Sequence, residues 1–180
     1  MKERFIIGLL VSNRHGVLHR ISGLYNKRGY NIDSLAVGET EDPALSRMTI
    51  TSIGDAYIKT QMIRQLKKLL DVKAAILIDC EGSVAIEHLL IKLKTGSVKN
   101  AEITSLINQY GGKVLDMGED FMLADVTGSP DAIQELIEKC KPIGIHELCR
   151  SGALALSGGS RTILNQSGYG NPQETEEQNG

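Results

Sequence analysis

Between Leu9 and Val37 the chain carries the residues best suited to hold a small polar molecule. Asn13 brings a side-chain amide and Gly16 a bare backbone, both just ahead of a helix-like run that opens at Val17. A helix start presents unpaired N–H groups and the positive end of the peptide dipoles, so it can hold a carboxylate or a phosphate. Glycine there lets a ligand approach without a Cβ in the way. Asn31 follows the helix and opens the next strand, adding a second amide with donors and an acceptor. Two amides, a bare backbone and a helix start suit a zwitterion such as a free amino acid. The same residues also make ordinary turns, and their spacing alone does not choose between the two roles.

Other chemistry is sparse. His15 and His19 are four apart, but His15 sits in the turn before the helix and neither a carboxylate nor a cysteine completes a metal site. His88 and His146 lie on strand-like runs and read as half-buried histidines. Asp116, Glu119, Asp120 and Asp125 crowd one hairpin, where a weakly held hard cation competes with a solvated turn. Neither a G-x-G-x-x-G fingerprint nor a Walker A sequence is present, and no nucleophile–base pair declares itself. The sequence shows no catalytic residue and no resident cofactor.

The elements that position the amides follow from periodicity. Phe5, Ile7, Leu9 and Val11 alternate with Ile6, Gly8 and Leu10, so Arg4 to Val11 is an interior strand apolar on both faces. Val17, Leu18, Ile21, Leu24 and Tyr25 recur at helical spacing, and Gly29 ends that helix in a left-handed cap. Asn31 to Glu39 and Ser46 to Ile53 are strands joined by an acidic loop at 40–44, a candidate for partner contact or a plain connector. Asp55 caps a helix striped by Ile58, Met62, Leu66 and Leu69, and Val72 to Ile78 closes a βαββαβ order.

After Glu81-Gly82-Ser83 the order recurs. Ile86 to Lys94 is a strand, and a helix runs from about Asn100 to a stop at Gly111-Gly112. Lys113 to Met117 and Phe121 to Val126 form a hairpin. Ser129-Pro130-Asp131 starts a helix that Pro142 ends, and Ile143 to Leu148 is the last strand. The fold class is therefore α+β, with two ferredoxin-like βαββαβ domains at 1–80 and 84–158. Residues 159–180 are rich in Gly, Ser, Asn, Gln and Glu and read as a flexible tail.

Composition bounds the function classes. A net charge of -2 gives no nucleic-acid signature, and no apolar run approaches a membrane span. Met1-Lys2-Glu3-Arg4 leads directly into strand-like sequence, which reads as no targeting segment. Cys80, Cys140 and Cys149 are odd in number and lack C-x-x-C spacing, as expected of reduced thiols in a cytoplasmic protein.

Four stretches carry a resemblance. Asn13-Arg14-His15-Gly16-Val17-Leu18, Gly29-Tyr30-Asn31-Ile32-Asp33-Ser34-Leu35 and Leu45-Ser46-Arg47-Met48-Thr49-Ile50 resemble the regulatory small subunits of acetolactate synthase (acetohydroxyacid synthase), as does Glu147 to Leu156. The resemblance implies an N-terminal ACT domain that binds amino acids and dimerises, and a chain without catalysis of its own. It implies activation of the catalytic large subunit, which would carry thiamine diphosphate, Mg and FAD, and feedback inhibition by valine or another branched-chain amino acid. Carried over residue by residue, Asn13, Gly16, Val17 and Leu18 would come from one copy of a homodimer, and Asn31 and Ile32 from the other. Arg14-His15 departs from the family, which often carries an acidic or neutral residue there.

Helix length supports the two-copy expectation. About eleven residues at 1.5 Å each separate the helix ends by about 16 Å, too far for one valine to touch both. A stand-alone amino-acid-sensing ACT module is the alternative function, and it calls for a basic face that the sequence lacks. An acylphosphatase-like enzyme, with Arg14 and Asn13 at a phosphate-binding turn, is a further alternative, since fold does not fix function.

Overall fold

A computed structural model describes residues 2–79, 82–96 and 100–168. The chain forms two compact units, one holding the described residues up to Val84 together with those from Ala155 onward, the other spanning 85–154.

The first unit runs β1 (Glu3–Ser12), α1 (Val17–Lys27), β2 (Ser34–Glu39), β3 (Leu45–Gly54), α2 (Ala56–Leu66) and β4 (Val72–Ile78). Its sheet has the order β2-β3-β1-β4, with each neighbouring pair antiparallel. Strand alternation sends Phe5, Ile7, Leu9 and Val11 to the helix side, where they join Val17, Ile21 and Tyr25 of α1 and Met62 and Leu66 of α2 in the core. Each fully buried aliphatic side chain of this kind contributes about 1.5–3 kcal/mol. Helix ends are closed locally. Asp55 accepts from the Ile58 N–H at 2.9 Å. Gly29, at φ 68, lets its own N–H and that of Tyr30 bond back to Asn26 and Tyr25 at the end of α1.

β1 is buried on its other face as well, at Ile6 and Leu10. No helix of the βαββαβ core lies there. The covering comes from the chain's return: Arg47 Nη2 donates to the Ala155 carbonyl at 3.3 Å, and a short helix, α5 (Ile163–Ser167), packs against β4 and β1. Gly8 is small for this reason, since a Cβ on it would lie 2.6 Å from Arg47 Nη2. The return is long-range in sequence, since the residues from Ala155 onward belong to the first unit. Within the span read as tail, α5 is a capped helix whose Thr162 and Asn165 side chains each accept from the other's backbone N–H. The remainder of that expectation, at 169–180, lies outside the described residues, as does Cys80.

The second unit contains β5 (Ser83–Lys94), α3 (Asn100–Gln109), β6 (Lys113–Met117), β7 (Phe121–Gly128), α4 (Pro130–Cys140) and β8 (Ile145–Arg150). Its strands take the same permuted order, β6-β7-β5-β8. Leu89, Ile91 and Leu93 pack on Ile103, Ile107, Ile133 and Leu136. Ser129 caps α4 through the Ala132 N–H at 3.2 Å, with Pro130 at its first position. Arg150 grips Glu87 through Nε and Nη2 at 2.7 and 2.6 Å, and the Glu87 side chain is only 4% exposed.

Candidate functional site

α1 starts without a side-chain cap. Its N-cap is Gly16 at φ 81 and ψ -9, a left-handed conformation that glycine adopts without strain. No side chain therefore caps the first-turn N–H groups of α1, and the residue just ahead of them has no side chain of its own. Leu18, 45% exposed, presents an apolar surface next to them. Val17 is 2% exposed and joins the core, so its side chain is not available to a ligand. Its backbone N–H lies 3.4 Å from the Arg14 carbonyl.

Asn13 is tied to the far side of the sheet end. Its Nδ2 donates to Glu39 Oε2 at 3.0 Å and to the Pro43 carbonyl at 2.9 Å, while its backbone N–H bonds the Ala44 carbonyl at 2.7 Å. Both side-chain donors are thus occupied by the β2–β3 loop. What Asn13 retains for another molecule is its Oδ1, an acceptor.

That loop is itself built by an acidic side chain. Asp42 Oδ1 accepts from the Ala44 N–H at 2.9 Å, and the Asp42 carbonyl accepts from Leu45 at 2.9 Å and from Thr40 Oγ1 at 3.0 Å. Of the two acids in the 40–44 connector, Asp42 shapes it, and among the described residues no hydrogen bond or ion pair holds the Glu41 side chain.

Asn31 lies at the opposite end of β2. Its Nδ2 donates to Asp33 Oδ1 at 2.7 Å, and its carbonyl accepts from Ser52 Oγ at 2.9 Å. Ile32 packs against the first core but is only half-buried, unlike Val17, so part of it stays exposed. The register sets the separation: Ser34 pairs with Thr51, and Glu39 pairs with Ser46. Asn13 and Asn31 therefore sit at the two ends of one strand, as the length of α1 requires. β2 pairs only with β3, so its outer edge is open among the described residues.

Sequence reasoning passed over Arg20. It stands one turn into α1, where a helical side chain leans back toward the helix start. Its Nε meets Asp71 Oδ2 at 2.7 Å, and its Nη1 lies 3.6 Å from where a Cβ on Gly16 would be. The signal available was the i to i+4 spacing from Gly16 to Arg20, which puts the two on one face.

The remaining candidates are engaged elsewhere. His88 Nε2 pairs with Asp125 Oδ1 at 2.6 Å, and Asp116 Oδ1 accepts from the Met117 N–H at 2.8 Å. His88 and His146, both expected half-buried, are exposed, His146 on β8, the outer strand of its sheet. Burial pushes the Cys140 thiol up to about 11, while Cys149 is exposed. Among the described residues no three His, Cys, Asp or Glu side chains gather as a metal would require, and no helix is long and apolar enough to cross a membrane.

Two family models match. Residues 7–74 fit the small-subunit-like ACT domain of acetohydroxyacid synthase, and residues 86–159 fit the small subunit of acetolactate synthase. The acetolactate synthase small subunit of Aquifex aeolicus is 41% identical over 156 residues, covering 86% of this chain and 81% of its own. That of Bacillus subtilis is 38% identical over 157 residues, covering 87% and 91%. The crystal structure of the acetolactate synthase small subunit from Thermotoga maritima superposes with a TM-score of 0.81 at 30% identity, covering 88% of this chain and 99% of that one.

Proposed function

The chain belongs to the family of acetolactate synthase small subunits, the regulatory partners of that enzyme, and on this basis we propose that it activates the catalytic large subunit and makes it sensitive to valine or another branched-chain amino acid. Acetolactate formation from pyruvate then belongs wholly to the large subunit, with its thiamine diphosphate, Mg and FAD. The small subunit acts in the cytoplasm as a homodimer joined through the ACT domain, with each amino acid held between two copies.

The observation that carries this reading is the placing of the two amides at opposite ends of an open edge strand. When two β2 edges meet antiparallel across a two-fold axis, the start of one strand lies beside the end of the other. Asn31 of one copy then approaches the Asn13–Gly16 turn of the second, which a single chain cannot achieve. The apolar Leu18 beside Gly16 suits an aliphatic side chain, and the bare helix start suits a carboxylate.

Linkage makes the test direct, since a ligand held across an interface must tighten it. The purified chain should raise the rate of acetolactate synthesis by its large subunit, with valine reversing the gain and shifting the monomer–dimer balance toward dimer in sedimentation. An unchanged rate, or dimer dissociation that does not move at saturating valine, would overturn the proposal.

A further inference from the structure

The amino-acid site proposed above leaves one group unassigned, and the following step rests on that reading. A free amino acid brings an ammonium, which needs acceptors, and a carboxylate, which needs donors. Asn13 faces two acceptors, the Glu39 carboxylate and the Pro43 carbonyl, so chemistry alone fixes the orientation of its amide. Its Nδ2 hydrogens are both engaged, and the outward Oδ1 together with Glu39 forms an acceptor pair. This end of the turn suits the ammonium. The carboxylate needs a donor from elsewhere.

Arg20 has the geometry for it. Its Nε is held by Asp71, whose backbone carbonyl in turn accepts from the Ser12 N–H at 2.8 Å, so the guanidinium is anchored to the end of β1. Nη1 stands over Gly16, 3.6 Å from the absent Cβ, and the side chain is 51% exposed. The hydrogens of Nη1 and Nη2 have no partner among the described residues, which leaves a planar fork that matches a carboxylate. With glycine at position 16, no side chain stands between that fork and a ligand lying on the turn. We propose that Arg20, oriented by Asp71, binds the α-carboxylate of the regulatory amino acid, and that Asn13 Oδ1 and Glu39 receive its ammonium.

Calorimetry on the full chain tests this with valine and with valinamide, which keeps the side chain and ammonium but lacks the charged carboxylate. The wild-type chain should prefer valine by about tenfold or more, the ordinary worth of a charge-assisted pair. Arg20→Gln should lose at least that factor for valine while leaving valinamide unchanged. Asp71→Asn should weaken valine less, and Arg20→Lys should restore part of the loss. Valine bound equally well by wild type and Arg20→Gln would overturn the assignment. So would an equal loss for both ligands, since that would make Arg20 a structural support only. If the wild-type chain binds no branched-chain amino acid at all, the amino-acid reading itself fails, and the assignment with it.

Discussion

Gly16 separates backbone strain from ligand electrostatics in one pair of substitutions. At φ 81 any L side chain is strained, by about 1–2 kcal/mol for alanine. Space is not the obstacle, because the nearest atom to a new Cβ is Arg20 Nη1 at 3.6 Å. Gly16→Ala should therefore lower stability by about that amount and still leave the fold intact. Gly16→Asp carries the same strain but regains ~0.3–1 kcal/mol from an acid at a helix start, so its net loss is smaller. Binding should go the other way. The new carboxylate reaches Arg20 and the open donors of α1, the groups a ligand carboxylate would use. Two such charges about 4 Å apart repel by up to about 4 kcal/mol at an effective dielectric of 20, and a third of that is already tenfold in affinity. Thermal unfolding and valine calorimetry on both variants give the two quantities independently. Gly16→Ala should keep most of the affinity, and Gly16→Asp should lose tenfold or more while being the more stable of the two. Equal valine affinity in both variants would refute the placing of the carboxylate at this turn.

Two further outcomes concern stability. Arg150→Ala should destabilise the second unit by about 3 kcal/mol in urea unfolding, because it strips the bidentate partner from the buried carboxylate of Glu87; replacing the pair together by Leu and Met should recover much of the loss, and a fully additive double variant would contradict this account. Burial pushes the Tyr25 phenol up to about 12 from 10, against a smaller opposing contribution from the Ser52 hydroxyl. The folded state thus holds a proton that the unfolded chain releases above pH 10, so stability is full below 10 and falls as pH rises toward 12. Tyr25→Phe should flatten that fall by on the order of 2 kcal/mol in urea midpoints read across the interval; an unchanged slope would show that other groups set it.

Much of the fold is legible in the sequence because its signals are local. Asp55 and Ser129 cap the helices they precede, Gly29 stops α1, and β4 and β6 run from Val72 to Ile78 and from Lys113 to Met117 as their alternation implies. Burial on both faces of β1 is likewise written in its apolar run, but what covers the second face is not. The chain leaves the first unit and returns at Ala155, and only the tertiary fold brings that carbonyl to Arg47. The site divides in the same way. Residue types and the length of α1 mark Asn13, Gly16 and Asn31 as a turn, a bare backbone and a distant second amide. They do not reveal that the Asn13 donors are already occupied by groups 26 and 30 residues away, that Val17 turns into the core, or that Asp71 holds Arg20 over Gly16. Periodicity and capping are properties of a few consecutive residues, so the sequence alone determines them. Which donor meets which acceptor across the chain is decided when the sheet sets its register, and that only the tertiary structure supplies.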